Sequence, residues 1–376
     1  MIPLFKVSMN ESASKQVSQV LLSGFITQGP KVEEFEEKLK NIFNYPYLVS
    51  VNSATSGLTL ALRMIKEKYK LSDTTEVLTS PLTCMATNEP ILTNNLQIKW
   101  VDVDPKTCNI DLQDLESKIT ITTKILLFVH WAGTPVDLDG LNEVLDRKEK
   151  ELGFRVQVVE DCAHAMLAEW DGKMVGTFGN YAVFSLQAIK HLTTGDGGIL
   201  MLPSEEEMET AKLLRWFGID RNKRNYKQKD FRLESDVKTW GYKFHMNDIN
   251  ATIGLANLNN VHSVVSAHRK NGNFFNEQLK NIPGITVLTV PQKAKSSYWI
   301  YTLLVDRRDE FIQYMTEKNI TVSSVHKRND LHSCFKMYET SLPQLDSLEQ
   351  KYVCIPVGWW LTDEQLTYIV DCIKNF

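Results

Sequence analysis

Paired cysteines are missing from this chain. Its six cysteines (Cys84, Cys108, Cys162, Cys334, Cys354 and Cys372) lie far apart with no CxxC among them. That excludes a small disulfide-knit scaffold and points to reduced thiols in a cytoplasmic setting. Cys162 and His164 are neighbours, yet no second pair stands at zinc spacing, so no metal centre is expected. Apolar runs of the length a membrane helix needs, about 18 residues, are absent as well. The start, MIPLFKVSMNES, has no basic stretch followed by an apolar one, so a secretory leader is not expected. Nor is there an excess of positive charge: 42 Lys and Arg stand against 46 Asp and Glu, a net charge of −4. Nothing in that balance attracts nucleic acid or an anionic membrane, and a phosphate-bearing ligand must be held by local groups. No GxGxxG follows the first strand, which argues against a nicotinamide dinucleotide. Internal repeats and low-complexity tracts are also lacking.

What is present is ordinary soluble composition, with 43% hydrophobic and 23% charged residues. A chain of 376 residues exceeds the size at which single cores stop growing, so a large domain plus a smaller one is expected. Short apolar runs (LVSV, EVLTS, IKWVDV, KILLFVH, VQVVE, YAVFS, GILML) are separated by helical stretches or loops between residues 47 and 202. Such a pattern predicts an α/β fold with a mostly parallel sheet covered on both faces. Helices are predicted at 11–22, 32–43, 205–217, 246–258, 262–280, 310–317 and 362–373, and strands also at 285–290 and 298–305. Pro283-Gly284 marks a turn into the last part of the chain.

The chemistry gathers around residues 181–198, YAVFSLQAIKHLTTGDGG. A β-prone run ends at Ser185, Lys190 follows, and a glycine-rich loop leads to a second apolar strand. Most lysines are solvated charges, but one held at a strand mouth between structured flanks can be desolvated toward neutrality and serve as an amine nucleophile. Lysine is also the residue that ties pyridoxal phosphate to its enzymes. Upstream, VQVVEDCAHAM reads as a buried strand ending in Glu160 and Asp161, with His164 just beyond. A carboxylate at the C-terminal end of such a strand faces the crevice where open α/β sheets bind ligands. It is suited to keep a pyridine nitrogen protonated, though a helix N-cap is the plainer use of such a residue. Earlier still, Val51-Asn52-Ser53-Ala54-Thr55-Ser56-Gly57 precedes a helical run. Small residues at a strand-to-helix turn expose amides at the positive end of the helix dipole, where a phosphate fits; ordinary N-capping is the alternative. Phosphate cup, ring acid and amine, in that order, point to one cofactor site.

FITQGPKVEEFEEKL, VNSATSGLTLAL, VVEDCAHAM and FSLQAIKHLTTGDGG, in this order and spacing, resemble the nucleotide-sugar aminotransferases of the DegT type. The resemblance runs over nearly the whole chain. It implies a fold-type I transferase dependent on pyridoxal 5'-phosphate, with a large domain over 1–257 and a small C-terminal α+β domain over 258–376. It also implies a homodimer with shared active sites. Lys190 would bind the cofactor and shuttle protons, Asp161 would face the ring nitrogen, and His164 the ring or its 3-hydroxyl. Ala54, Thr55, Ser56 and Ser185 would hold the phosphate. Cys84, in PLTCMATNEPIL, stands where the family commonly has an aromatic side chain on the ring, a departure that leaves the stacking partner open. WGYKFHMNDI matches a segment that reaches the neighbouring chain's cofactor phosphate, with Lys243 and His245 where Asn and Arg are common.

For substrate, the resemblance brings the loop at Thr27 near the site. The basic run RNKRNYKQK offers Arg224 and Tyr226 to a nucleotide diphosphate and its base or sugar, against the plain reading of a solvated loop. VHKRNDLH offers Arg328 or His332 to a donor carboxylate or a sugar hydroxyl, against plain surface charge. His130, ending KILLFVH, reads as structural. The expected reaction moves an amino group from an amino acid, by analogy L-glutamate, to a nucleotide-linked keto-deoxy sugar, above all a 4-keto-6-deoxyhexose. A sugar dehydratase on the same fold goes with histidine in place of the lysine, whereas this chain keeps Lys190 and has His191 beside it. A non-catalytic protein on the same scaffold would be expected to have lost Lys190 or Asp161.

Overall fold

The computed structural model describes residues 1–220 and 236–376. Nine strands occupy the first part of the chain. They are β1 (Leu48–Val51), β2 (Glu76–Thr79), β3 (Gln97–Trp100), β4 (Thr123–Val129), β5 (Gln157–Asp161), β6 (Glu169–Trp170), β7 (Lys173–Met174), β8 (Tyr181–Ser185) and β9 (Gly198–Met201). Seven of them form one sheet in the order β1-β9-β8-β5-β4-β2-β3. Only β9 runs against its neighbours β1 and β8; the other pairs are parallel. β1, β8 and β9 are buried along their whole length, as strands covered on both faces must be.

Alternation along each strand divides the core into two layers. Leu126 and Phe128 of β4 pack into one with Phe35, Phe43 and Phe184, while Ile125, Leu127 and Val129 pack into the other with Leu58, Ile65 and Val183. Because the strands are mostly parallel, β4, β5 and β8 end on the same side. Their loops therefore converge.

The remaining strands are β10 (Ile285–Val287), β11 (Ala294–Lys295), β12 (Tyr301–Val305) and β13 (Tyr352–Ile355). β10, β12 and β13 make an antiparallel sheet over a third core of Phe275, Leu303, Phe311, Ile355 and Ile369. β11 instead pairs with β6.

Several predicted elements shift. The strand expected over 298–305 begins only at Tyr301, because the backbone before it is claimed by another loop. Ser297 N–H donates to Gly133 O at 3.0 Å and Trp299 N–H to Ala132 O at 2.8 Å. Likewise the strand over 285–290 stops at Val287, and Thr289 N–H turns to Lys106 O at 2.7 Å. The helix over 205–217 ends at Leu214, beyond which Phe217 N–H bonds Tyr242 O at 2.9 Å. β13 was not expected; its four residues carry no pattern that a helix would not share, and pairing with β12 decides it.

Candidate active site

β8 delivers Ser185, which stands opposite Gly198 of β9 in the antiparallel register. Gly198 is glycine for a spatial reason. A Cβ there would lie 2.8 Å from Ala54 N and 2.8 Å from the carbonyl carbon of Ser53. Its absence lets the turn after β1 press onto β9, so Ser185 and the start of the helix Ala54–Lys68 meet around one point. Ser53 caps that helix, its Oγ accepting from Ser56 N–H at 3.1 Å. The first-turn amides of Ala54 and Thr55 sit at the positive end of the dipole, at the same end of the sheet where Ser185 closes β8. Such a turn can hold an anion.

Asp161 closes β5 and is almost fully buried, 3% exposed. Its carboxylate accepts from Thr87 Oγ1 at 2.7 Å and from Ala163 N–H at 2.9 Å. Burial raises its pKa, opposed by those two hydrogen bonds and by the nearby Lys190 ammonium. A buried carboxylate pushed up in this way gains from any cation placed against it.

Lys190 follows a turn in which its N–H bonds Gln187 O at 2.9 Å. Although the residue is only half-buried, its Nζ lies 3.6 Å from the Trp299 ring centroid. Desolvation lowers the amine to a pKa of about 8, against the opposing pull of Asp161 and Cys84. Those two groups are therefore its electrostatic neighbours. Cys84 occupies the N-cap of the helix Met85–Thr93. His164 is buried and lies parallel to the Trp299 indole, centroids 3.9 Å apart and planes 10° apart. Burial holds it well below the usual imidazole range, and its Nδ1 has no partner.

Other predicted residues fall in different surroundings. His245 is buried against Trp216, and Val51 forms a bridge with it. Lys243 is exposed, while its carbonyl and that of Phe244 accept from Asn52 Nδ2 at 3.3 Å and Asn52 N–H at 2.7 Å. This segment thus lines the turn of its own chain. Thr27 is exposed, its carbonyl accepting from Asp248 N–H at 2.9 Å. His332 stands at the position before the short turn Ser333–Tyr338, its side chain making no capping bond. Arg224 and Tyr226 lie outside the described residues.

Arg328 corrects the expectation. Its guanidinium is buried and forked onto Asp330 at 2.8 and 2.6 Å, with a further bond to Asp346 at 2.6 Å. Two carboxylates already occupy it, so it is a structural group and not a free clamp for a donor. His130 is structural as read: Nδ1 accepts from Val136 N–H at 3.0 Å, and Nε2–H donates to Glu160 at 3.1 Å.

Sequence reasoning missed Thr87, Trp299 and His326. Trp299 lies inside an apolar run that reads as strand, and only the preceding Ser296-Ser297 hints at a break. His326 sits in the VHKRNDLH stretch, two residues before Arg328. Its ring runs nearly parallel to Trp299, centroids 6.3 Å apart, and burial brings its pKa to about 4.

Residues 7–374 match the DegT/DnrJ/EryC1/StrS aminotransferase family. The chain belongs to that family. Among solved structures, the sugar aminotransferase CalS13 from Micromonospora echinospora is 42% identical with a TM-score of 0.95, each chain covered fully. The PLP form of a sugar aminotransferase, Spr1654 from Streptococcus pneumoniae, is 26% identical with a TM-score of 0.88, covering 100% of this chain and 98% of that one. A UDP-4-amino-4-deoxy-L-arabinose–oxoglutarate aminotransferase of Shewanella sediminis is 29% identical over 85% of this chain and 81% of its own. The fold is accordingly that of the fold-type I sugar aminotransferases.

In this aminotransferase the donor set fits pyridoxal phosphate. An amine of lowered pKa, a buried acid in want of a cation, an imidazole with an unpartnered Nδ1 and a capped strand-to-helix turn stand at the same end of the central sheet. Among the described residues no helix is long and apolar enough to cross a membrane.

Proposed function

We propose that this aminotransferase moves an amino group from L-glutamate to a keto-deoxy sugar linked to a nucleoside diphosphate, a 4-keto-6-deoxyhexose being the preferred acceptor. The observation that carries the reading is that adjacent strands β5 and β8 end together, with Asp161 closing the first and Lys190 following the second, its amine seated on the Trp299 indole that also stacks on His164. Bound pyridoxal phosphate would supply an aldehyde that carries nitrogen and a ring that draws electrons from the reacting carbon.

The chain does the rest. Lys190 would hold the cofactor covalently and, once free, its amine would take a proton from the substrate carbon in one half-reaction and return one in the other. With a pKa of about 8, roughly a tenth of the amine is unprotonated at neutral pH, against a far smaller fraction for an ordinary lysine. Asp161 would accept a hydrogen bond from the protonated ring nitrogen, and His164, kept neutral by burial, would stand beside the ring. Ala54, Thr55, Ser56 and Ser185 would bind the phosphate, and Lys243 and His245 would offer donors to the phosphate held by the neighbouring chain. Cys84 would stand where the ring's stacking partner belongs, its sulfur a weaker partner than an aromatic side chain. Thr27, Arg224 and Tyr226 are assigned to the nucleotide sugar, and His332 to a donor carboxylate or a sugar hydroxyl. The six cysteines are all free, in keeping with a reducing, cytoplasmic compartment.

Purified protein should be yellow, absorb in the range of about 400–430 nm and bleach with L-glutamate. Lys190→Ala should lose turnover altogether. Incubation with a panel of nucleotide keto-sugars, with products identified by mass spectrometry and NMR, decides the acceptor. A product that has lost a hydroxyl and gained no nitrogen would favour the dehydratase instead.

A further inference from the structure

Trp299 joins three groups of the site: the peptide before Lys190, the Lys190 amine and the His164 ring. Its Nε1–H donates to Ile189 O at 3.0 Å, which fixes the indole to the peptide immediately before Lys190. The Lys190 ammonium lies over the indole, and the His164 imidazole stacks on it. Phe5, from the start of the chain, packs on the same side chain with centroids 5.0 Å apart. The backbone around Trp299 is equally tied down. Ser297 O accepts from His191 Nε2–H at 3.0 Å, Tyr298 O from His268 Nδ1–H at 2.8 Å, and Ser297 Oγ donates to His164 O at 2.9 Å. Residues on both sides of Lys190 are therefore bonded to the 297–299 segment.

We propose that Trp299 is a positioning residue, whose indole is the resting place of the Lys190 amine whenever that amine is free, and which holds His164 at a set distance from it. The inference rests on the reading of Lys190 as the cofactor lysine. Its physical basis is that a dry site opposes the ammonium, while an aromatic face is one of the few apolar surfaces that attract a cation. The indole thus lets the amine be enclosed without being driven permanently neutral. The other groups facing Lys190 are Asp161 and Cys84, which favour its charge, and His164, His191 and His326, which burial keeps neutral.

The test compares Trp299→Phe with Trp299→Leu. Full-length protein without added cofactor is labelled with acetic anhydride across a pH series, and acetylation of Lys190 is read by peptide mass spectrometry. Wild type should label with a midpoint near 8. Trp299→Phe, which keeps an aromatic face, should stay within about 0.3 unit, and Trp299→Leu should fall by about one unit. Equal midpoints for Phe and Leu, or a higher one for Leu, would overturn the proposal. If Trp299→Leu does not fold, Trp299→Met replaces it with the same expectation. Borohydride trapping of pyridoxal phosphate on wild type separates the two claims. A label on some lysine other than Lys190 sinks the reading of Lys190 itself, whatever residue 299 does.

Discussion

Lys190 is enclosed at a cost to the fold, and that cost can be measured. Its folded pKa of about 8 lies below the model lysine value of 10.5, so the unfolded chain binds more protons between those limits and stability rises with pH there. Below pH 8 the penalty is fully present; above about 10.5 it has vanished. Lys190→Met, without cofactor, should therefore be more stable than wild type at pH 7 by about 2 kcal/mol, allowing for partial solvation and the indole contact. The gain should shrink toward zero near pH 10.5. Urea unfolding at the two pH values checks this, and equal stability at pH 7 would contradict it. Arg328 is the opposite case, a charge whose burial is compensated by Asp330 and Asp346. Arg328→Ala strands buried Asp330, and a loss of about 3–5 kcal/mol is expected. Thermal unfolding with parallel glutamate kinetics distinguishes this from a donor clamp, which would raise KM while leaving stability alone.

At the scale of elements, the site depends on how closely a turn approaches a strand. Gly198 admits the Ser53–Ala54 backbone, and no side chain can yield there because the atoms in the way belong to the main chain. Gly198→Ala should displace the start of the helix Ala54–Lys68 from Ser185 and weaken pyridoxal phosphate by at least about tenfold, or about 1.4 kcal/mol. An absorbance titration with the cofactor measures it, and unchanged affinity would mean that the phosphate is held elsewhere. The turn after β1, the acid after β5 and the lysine after β8 were each legible in sequence, because each follows an apolar run with residues of distinct chemistry. The 297–299 segment was not. Its run YWIYTLLV is apolar throughout, and nothing local tells that Trp299 bonds to the 132–133 loop while Tyr301 starts a strand.

For the whole molecule, the expectation of a dimer has a surface to rest on. Leu21, Leu22, Phe25 and Ile26 are 53%, 86%, 70% and 48% exposed. They form an apolar stretch that one chain leaves in water and that a second copy would cover. It adjoins Thr27, on the loop assigned to substrate. If the active sites are shared, chains carrying Lys190→Ala and chains carrying Lys243→Ala with His245→Ala should complement one another. Random mixing leaves one intact site in each hybrid dimer and recovers about a quarter of wild-type activity. Sites built from single chains would show no recovery, and sedimentation of the same samples reports the dimer directly.

Sequence by itself determined the alternation of strand and helix, the identities of amine, acid and cup, and their order along the chain. Those follow from hydrophobic period and from residue chemistry, both of which are local. Only the tertiary structure decided that Arg328 is spent on two aspartates, that Gly198 makes room for the cup, and that an indole from a distant segment lies under Lys190. Each of these is a contact between stretches far apart in the chain, and no local pattern encodes which partners the fold will bring together.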